Sequence, residues 1–305
     1  MTRYVQSPLN YTGGKYKLLP QILPLFPDKI STFVDLFCGG ANVGVNIDCA
    51  NIIFNDSNSK LIDLLSTLKN YDFPDVFDAI LAVIDRYGLS KSYVFGYNYY
   101  NCDSAKGLGE YNREPFNRLK ADFNNRTEKD FQYYIMLYVL VVYAFNNQIR
   151  FNANGEYNLP VGKRDFNQSM QNKLKTFLDK IKTLNCCFTC RDYKDVITDS
   201  LAAYDFVYVD PPYLITCASY NENNGWSDKD EVELLLFLEH LHSDHIRFAL
   251  SNVLESKGNT NHILYDWLQD NPYLHCHVLN FSYTNSNYHL KSKNAISKEV
   301  LITNY

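Results

Sequence analysis

The tetrapeptide Asp210-Pro211-Pro212-Tyr213 has the residue types needed to act on an amino group. It follows the apolar run 205–209, which is typical of a buried strand, and ligands of open α/β sheets bind at the carboxyl ends of strands. The Asp210 carboxylate and the Pro211 carbonyl can accept the two hydrogens of a nucleobase amine, which localises the nitrogen lone pair. The flat face of Tyr213 can stack on a base that has left its helix. These residues therefore supply what an exocyclic amine needs in order to attack an electrophile such as an activated methyl group.

A glycine-containing turn, Asp35-Leu36-Phe37-Cys38-Gly39-Gly40, follows another apolar run, and Asp56 ends the next one. Glycines let a ligand approach the backbone, and an acid at the end of the second strand can accept both hydroxyls of a ribose. The glycines do not fit the Gly-x-Gly-x-x-Gly spacing of pyrophosphate-binding sites. The pattern therefore argues against a pyrophosphate cofactor and leaves room for S-adenosylmethionine, an adenosine that has no phosphate.

The segment Asn10-Tyr11-Thr12-Gly13-Gly14-Lys15 contains the glycines and the lysine of a phosphate-binding loop. A Walker loop also requires Ser or Thr after the lysine, whereas Tyr16 follows Lys15. In addition, no apolar run precedes the segment. We therefore do not expect nucleotide hydrolysis.

Apolar runs without alternation, separated by helical patterns, indicate an α/β fold with a parallel sheet. Runs at 33–37 and 51–56 form one βαβ unit around the glycine turn. Further strands are predicted at 186–190, 205–209 and 246–250, with a closing antiparallel pair at 276–281 and 299–302. Ser227-Asp228 with Glu231 predicts the capped start of an amphipathic helix that runs to about His242.

Residues 58–165 have a different character, because helical stretches alternate there with loops that contain Asn, Tyr and Arg. We interpret this part as a helical insertion into the sheet. At its end, within residues 145–162, Asn154-Gly155 between alternating segments predicts a β-hairpin. We therefore predict one domain from residues 1–57 and 166–305 and a second, helical domain from residues 58–165.

The composition is that of a globular protein: of 305 residues, 46% are hydrophobic and 21% are charged, which excludes a disordered chain. The net charge is −5, but residues 205–245 contain nine acidic residues and one lysine, so a polyanion can bind elsewhere. No apolar stretch approaches the roughly 18 residues of a membrane span. The longest, from Ile135 to Phe145, predicts a buried helix.

Cysteine and histidine patterns give little support for a metal site. Cys187-x-x-Cys190 is an isolated pair, whereas a zinc site needs further ligands at a suitable spacing. His240, His242 and His245 lie near a predicted helix end, where cationic side chains are favoured in any case. We therefore expect no metal, and reduced thiols in a cytoplasm. None of the eight cysteines follows a proline, so direct methyl transfer fits better than a covalent C5 mechanism.

The chain resembles the Dam-like, α-group DNA adenine-N6 methyltransferases over nearly its whole length. The order of motifs is that of the family: Gly-Gly-Lys, the glycine turn, a target-recognition insertion and the Asp-Pro-Pro-Tyr tetrapeptide. Its DNA-contacting hairpin is matched by Arg150, Gly155, Glu156, Tyr157, Asn158, Pro160 and Gly162. One departure is Ala41, where the family's Phe-x-Gly-x-Gly turn ends in glycine, and we expect only a local adjustment.

The resemblance implies a Rossmann-like methyltransferase fold with a mixed sheet, in which residues 58–165 form the DNA-binding domain. The residues that it assigns to S-adenosylmethionine are Tyr11, Lys15, Asp35, Phe37, Gly39, Asp56, Asp192, Tyr193 and Asp210. Those assigned to the flipped adenine are Asp210, Pro211, Pro212 and Tyr213. Those assigned to DNA are Asn146, Arg150, Asn152, Asn158 and Pro160. Within these sets, Asp56 would hold the ribose and Arg150 would read a base edge in the major groove.

The implied activity is transfer of a methyl group from S-adenosylmethionine to adenine N6 in double-stranded DNA, with S-adenosylhomocysteine as the product and no metal. We expect a monomer or weak dimer in a bacterial cytoplasm, associated with the nucleoid, or a phage-encoded enzyme. A cognate restriction endonuclease fits as a partner. Two alternatives stay open: methylation of RNA adenine or protein glutamine, and a DNA-binding protein that keeps the cofactor fold without turnover.

Overall fold

The apolar runs that predict strands are strands in the computed structural model of the chain. The structure describes residues 4–10, 13–196, 201–216, 226–280 and 297–305. The strands are β1 Thr32–Asp35, β2 Asn51–Asn55, β3 Cys186–Thr189, β4 Phe206–Val209, β5 Arg247–Ser256, β6 Asn259–Thr260, β7 His275–Leu279 and β8 Lys298–Thr303. The helices are α1 Leu19–Ile22, α2 Ser59–Asn70, α3 Phe73–Tyr87, α4 Ser92–Tyr99, α5 Gly109–Asn125, α6 Phe131–Tyr143, α7 Gln168–Thr183, α8 Asp228–Ser243 and α9 His262–Asp270.

The chain divides into two compact units, and each contains several separate segments. The first unit comprises Met1–Tyr16, Gly39–Asn46 and Asn58–Cys190, and the second comprises Lys17–Cys38, Ile47–Ser57 and Arg191–Tyr305. The first holds helices α2 to α7, and the second holds most of the strands. The catalytic and DNA-binding roles expected for two domains, and the domain limits given above, remain predictions.

The sheet of the second unit has the strand order β2-β1-β4-β5-β8-β7, with β6 attached to β5. The first four strands in this order are parallel, whereas β8 is antiparallel to both β5 and β7. This arrangement confirms the predicted α/β class and mixed sheet, including the closing antiparallel pair. The predicted end of that pair, Phe281, lies outside the described residues.

The central strands of the sheet are covered on both faces, which explains why β1 and β4 are short, mostly apolar runs. On one face, Leu234, Leu238 and Leu241 of α8 pack in a cluster with strand residues such as Val207. On the other face, rings including Phe26, Phe33 and Phe206 pack against one another at centroid distances of 4.8–6.1 Å. The strands therefore form a rigid core whose carboxyl ends are held in fixed positions.

In the first unit, α6 is the central element. Its residues from Tyr133 to Tyr143 are all buried, and α2, α3 and α5 pack against it. A helix that is apolar on all sides must be enclosed in this way. The prediction of a buried helix is correct as far as Tyr143 but wrong for Phe145, whose side chain is 51% exposed. The helix ends before that residue because Ala144 pairs with Val161 at the base of the hairpin.

Two strand and helix predictions need correction in detail. Strand β5 continues to Ser256, well past the predicted end at Leu250, because β8 pairs along its length. Helix α8 begins after Ser227 as predicted, but its capping partner is Asp230 rather than Glu231. The Asp230 side chain reaches back to the Ser227 amide, whereas Glu231 points into the core of the unit.

Within the part of the chain that the structure describes, we find no helix that has both the length and the apolar character needed to cross a bilayer.

Candidate active site

Acidic side chains gather where the central strands of the second unit end. Asp35 is the last residue of β1 and is 2% exposed, and Asp56 directly follows β2 and is 8% exposed. Burial, together with the carboxylates of Asp35 and Asp56, raises the pKa of the Cys38 thiol well above its ordinary value. Both carboxylates therefore lie close to the turn that follows β1. This is the edge of a parallel sheet at which ligands bind.

The buried Asn55 side chain holds two loops at this edge. Its Nδ2 donates to the Leu36 carbonyl at 3.0 Å and to the Arg191 carbonyl at 3.1 Å, and its Oδ1 accepts from the Arg191 amide. One of these loops carries Phe37 and the other carries Asp192. The sequence analysis did not select Asn55. The only local signal for its role is an amide side chain at the end of an apolar run.

The tetrapeptide Asp210-Pro211-Pro212-Tyr213 directly follows β4, the strand between β1 and β5. Pro211 and Tyr213 are buried, whereas Asp210 is partly exposed and Pro212 is exposed. The Tyr213 hydroxyl donates to Asp210 Oδ1 at 3.0 Å. The Tyr213 side chain therefore bonds to the Asp210 carboxylate through its hydroxyl, in addition to the stacking surface that its ring was predicted to provide.

The buried Glu299 of β8 is the second acid beside this tyrosine. The Tyr213 oxygen lies 3.3 Å from Glu299 Oε1. Burial, and then the charges of Asp210 and Glu299, raise the pKa of Tyr213 well above its ordinary value, so the hydroxyl keeps its proton. The sequence analysis did not select Glu299, because it lies 86 positions from Tyr213 and in a strand with an otherwise apolar pattern.

An aromatic cluster of Phe37, Tyr193 and Trp226 lies beside the turn that follows β1. The ring centroid of Phe37 is 5.4 Å from that of Tyr193 and 6.0 Å from that of Trp226. Burial raises the pKa of Tyr193 to about 12. The preceding residue, Asp192, is exposed, and its side chain accepts from the Lys194 amide. Phe37 and Tyr193 were predicted to line the cofactor site, whereas Trp226 was not.

Glu231 orients Trp226. This fully buried carboxylate accepts from Trp226 Nε1 at 2.6 Å through one oxygen. Its other oxygen accepts from the side-chain amides of Asn252 and Asn261, at 3.0 and 2.8 Å. Three N–H donors compensate the desolvation of the carboxylate. The position of the indole is therefore set by contacts that join β5, α8 and α9.

In the first unit, Lys15 is buried and its Nζ donates to the Gly13 carbonyl at 2.7 Å. Tyr11, the other residue predicted in this loop, lies outside the described residues. Within this unit the N-terminal loop lies close to Gly40, because a Cβ on Gly40 would come within 3.2 Å of the Leu9 carbonyl oxygen. Gly39 and Ala41 both have positive φ angles, 48° and 61°. At Ala41, which has a Cβ, this conformation costs about 1–2 kcal/mol.

The predicted hairpin is present in the first unit and is anchored at both ends. Phe151 pairs with Tyr157 beside the turn, and Ala144 pairs with Val161 at the base. The turn is a three-residue loop in which Gly155 has a φ of 77° and the Gly155 amide donates to the Asn152 carbonyl. A glycine at this position avoids the strain that a Cβ would cause.

The residues predicted to contact DNA occupy the accessible side of this hairpin. Tyr157 and Leu159 are buried, whereas Asn158 is partly exposed and Pro160 is exposed, as expected for alternation along a strand. Arg150 is exposed, and its Nε donates to Asn158 Oδ1 at 2.8 Å. Asn152 and Asn146 are also accessible, and Asn152 bonds to the carboxylate of Glu156.

Histidines and cysteines do not form a cluster in the described residues, where no three His, Cys, Asp or Glu side chains are placed to hold a metal ion. His242 at the end of α8 stacks on Tyr273 with the ring centroids 3.7 Å apart. This contact gives His242 a packing role at the helix end.

A family model described as D12 class N6 adenine-specific DNA methyltransferase matches residues 11–285 of the chain. That range includes the glycine turn, the hairpin and the tetrapeptide after β4. The chain belongs to this family. Membership confirms the resemblance inferred from the order of the motifs.

Nearly the whole of this chain is similar to part of two bacterial modification enzymes. The chain is 40% identical over 309 residues to Modification methylase StsI of Streptococcus sanguinis and 41% identical over 308 residues to Type II methyltransferase M.FokI of Planomicrobium okeanokoites. Each match covers 99% of this chain but 43% of the relative, so the chain spans less than half the length of either protein. DNA adenine methylase of Escherichia coli K12 is 28% identical over 252 residues, which are 80% of this chain and 79% of that enzyme.

Proposed function

We propose that this chain transfers a methyl group from S-adenosylmethionine to the N6 amine of adenine in double-stranded DNA after the base has been flipped. The observation that carries this proposal is the position of Asp210-Pro211-Pro212-Tyr213 at the end of β4, next to the strand that ends in Asp35. Membership in an adenine-specific family supports the choice of the adenine amine.

Asp210 and Pro211 would bind the target amine. The lone pair of an exocyclic amine is delocalised into the base, so the nitrogen is a poor nucleophile. Two acceptors aimed at its hydrogens localise the lone pair and stabilise the positive charge that develops on nitrogen. The Asp210 carboxylate is one acceptor, and its hydrogen bond from Tyr213 holds it in a defined orientation. The Pro211 carbonyl is the other, with its direction restricted by the two proline rings.

The residues at the strand ends fit an adenosine cofactor. The carboxylate of Asp56 after β2 suits ribose hydroxyls, and Phe37 and Tyr193 provide flat apolar surfaces for a purine. We assign Asp35, Gly39, Asp192, Lys15 and Tyr11 to the same cofactor. Trp226, which contacts both aromatic residues, joins this set.

S-adenosylmethionine supplies a methyl group that is already activated on its sulfonium, and S-adenosylhomocysteine is the product. The protein therefore contributes mainly alignment, because the acceptor nitrogen must lie in line with the bond that breaks. Once methylated, the nitrogen becomes acidic, and Asp210 accepts or relays its proton. The residues assigned to this step form no covalent bond to the base.

The hairpin would bind the DNA. Arg150 is exposed near the turn, and its guanidinium is suited to the O6 and N7 edge of guanine. Asn146, Asn152, Asn158 and Pro160 lie on the same loop or strands and would contact the duplex around it. We thus assign the reading of sequence to the first unit and the chemistry to the second.

Names of the relatives point to a restriction–modification system as the setting. A cognate restriction endonuclease is therefore the partner that we propose, together with a monomeric or weakly dimeric state and action on DNA in a bacterial cytoplasm, by a bacterial or phage-encoded enzyme. No metal is assigned a role in this reaction.

Expression of the chain in a host that lacks adenine methylation, followed by genome-wide reading of methylated positions, tests the proposal. We expect N6-methyladenine at one sequence and none when Asp210→Ala is expressed. A parallel assay with labelled methyl groups offers duplex DNA, RNA and protein in competition. Preferential labelling of RNA or protein would contradict the proposed substrate.

A further inference from the structure

Helix α5 bonds to the main chain of the hairpin within residues 145–162. The Asn124 side chain accepts from the Tyr157 amide at 2.8 Å through Oδ1 and donates to the Tyr157 carbonyl at 3.2 Å through Nδ2. One turn earlier on the helix, Lys120 Nζ donates to the Leu159 carbonyl at 3.3 Å. These bonds reach alternate residues of the second strand of the hairpin. The function proposed above gives neither helix residue a role.

Asn124 bonds to this strand as a neighbouring strand would. In a hydrogen-bonded pair of antiparallel strands, one residue receives an acceptor for its amide and a donor for its carbonyl, and an asparagine side chain carries the same two groups. Tyr157 is 1% exposed, so its N–H and C=O need partners within the protein. Because both bonds are made to the main chain, they fix the position of the strand itself.

Aromatic packing supports the same attachment. The centroid of the buried Phe123 ring on α5 lies 6.3 Å from that of Tyr157 and 6.5 Å from that of Phe151. The Tyr157 hydroxyl donates to the Gln148 carbonyl at 3.0 Å. The first half of the hairpin is thus held through the same tyrosine whose main chain Asn124 bonds. Both halves of the hairpin are therefore fixed relative to α5.

The residues proposed to read DNA are coupled to this anchor. Asn158 directly follows Tyr157, and alternation along the strand places its side chain on the accessible side. The Asn158 amide donates to the Arg150 carbonyl at 3.3 Å, and Asn158 Oδ1 accepts from Arg150 Nε at 2.8 Å. A shift of the Tyr157 main chain would therefore move Asn158 and, through these two bonds, Arg150. A guanidinium bonds to both acceptors of a guanine edge only in a narrow range of positions.

We infer that Asn124 is a positioning residue for DNA recognition: it fixes the main chain of Tyr157 and thereby aligns Asn158 and Arg150 with the base edges. This inference rests on the proposed function, because it concerns how the hairpin reads sequence. Sequence specificity then depends on helix α5 as well as on the side chains of the hairpin.

Asn124→Ala and Asn124→Asp separate the two bonds. Alanine removes both, whereas aspartate keeps an acceptor for the Tyr157 amide but sets a second carboxylate oxygen against the Tyr157 carbonyl. The measurement is the ratio of kcat/KM on the preferred duplex to that on duplexes with one substituted base pair. We expect alanine to lower this ratio on the order of tenfold and aspartate to lower it less. The added charge of aspartate weakens binding to all duplexes alike and cancels in the ratio.

Asn117→Ala, an exposed asparagine on the same helix, is the matched control and is expected to leave the ratio unchanged. The double variant Asn124→Ala with Arg150→Ala is a second comparison. Because Asn124 acts through Arg150, the double variant is expected to discriminate no less than Arg150→Ala alone at the base pair where Arg150→Ala relaxes preference. Binding of S-adenosylmethionine, measured by calorimetry, is expected to change little in the Asn124 variants.

Hydrogen exchange of the Tyr157 amide, followed by NMR, tests the attachment without turnover. We expect slow exchange in the wild type and in Asn124→Asp, where the amide keeps its acceptor, and faster exchange in Asn124→Ala. If Asn124→Ala does not fold, the aspartate variant decides, and a ratio equal to that of the wild type contradicts the inference.

Four results would overturn the inference: an unchanged ratio in a folded Asn124→Ala variant, an equal loss in Asn117→Ala, a further loss in the double variant, or equally slow Tyr157 exchange in Asn124→Ala. Failure of the proposed function is a different result, in which the wild-type chain transfers no methyl group to DNA. In that case, hydrogen exchange and discrimination in DNA binding, measured by fluorescence anisotropy on the same duplexes, still test the role of Asn124.

Discussion

Arg150 and Asn158 are hydrogen-bonded across the hairpin, with Arg150 Nε donating to Asn158 Oδ1 at 2.8 Å. This bond orients the guanidinium and occupies Nε, its nitrogen nearest the main chain. The two terminal nitrogens form the fork that matches the O6 and N7 edge of guanine. In the DNA recognition that we propose, Asn158 would thus orient Arg150 for base reading, in addition to any contact of its own with DNA. Both residues lie on the exposed side of the hairpin, opposite the buried Tyr157.

Replacing Arg150 with alanine is expected to relax sequence preference more than it weakens cofactor binding. Loss of one bidentate base contact costs about 1–3 kcal/mol of discrimination, so methylation is expected to spread to sites that differ at one base pair. The measurement is kcat/KM on the preferred duplex and on duplexes with single substitutions. Arg86→Ala, an exposed arginine on α3, controls for loss of a positive charge. Unchanged discrimination in Arg150→Ala would show that the hairpin has been given the wrong role.

Asp210→Ala is expected to abolish methylation while binding of S-adenosylmethionine largely survives. Removing one preorganised group that stabilises developing charge typically costs about a hundredfold or more in rate. Single-turnover assays with labelled cofactor measure the rate, and calorimetry measures binding. The exposed Asp266→Ala on α9 is the control. Equal turnover in Asp210→Ala and the wild type would end the proposal.

Gly162→Ala is expected to destabilise the first unit strongly. A Cβ at this position would lie 2.3 Å from the Ala144 carbonyl oxygen, where α6 meets the base of the hairpin. Since backbone atoms must move to make room, we expect a loss of at least about 2 kcal/mol in the free energy of unfolding, measured with urea. In Gly155→Ala at the turn, the new Cβ would have no atom within 4 Å, so the only cost is the backbone strain of a φ of 77°. It is expected to cost about 1–2 kcal/mol, and a reversed order would contradict this account.

Ser227→Ala is expected to cost about 1 kcal/mol of stability, because it removes the N-cap of α8. The cap is also pH-dependent. Hydrogen bonds from the Ser227 side chain and amide lower the pKa of Asp230 below its ordinary value. A carboxyl group with a lowered folded-state pKa stabilises the fold above its unfolded value and loses that contribution as the pH falls through the folded value. The difference between wild type and Asp230→Ala is therefore expected to shrink below about pH 3.9, as followed by urea unfolding.

Trp226 is expected to report cofactor binding. The chain has two tryptophans, and Trp267 is buried with its Nε1 bonded to Glu239. In a Trp267→Phe background, S-adenosylmethionine is expected to change the fluorescence of Trp226, because the indole contacts the proposed adenine site. In Trp226→Phe, the remaining Trp267 is expected not to respond. Calorimetric binding without any change at Trp226 would remove this residue from the cofactor site.

Several parts of the fold and site follow from the sequence alone. The central strands β1 and β4 and their order along the chain follow from apolar runs, because a strand buried on both faces needs no partner information to be recognised. The placement of Asp210-Pro211-Pro212-Tyr213 after a strand is equally local, and so is the hairpin around Gly155. The family was recognisable for the same reason, since its motifs are short and occur in a fixed order.

Tertiary structure decided how these motifs are held. Glu299 and Tyr213 are 86 positions apart, and Asn55 bonds to a residue 136 positions away, so no local pattern links them. Glu231 fits the spacing of a helix cap in the sequence, yet it is the neighbouring Asp230 that caps while Glu231 turns inward to three distant donors. Periodicity identifies which residues belong to an element. Which buried polar groups satisfy one another depends on the packing of elements that are remote in sequence, and a buried carboxylate must find its donors there.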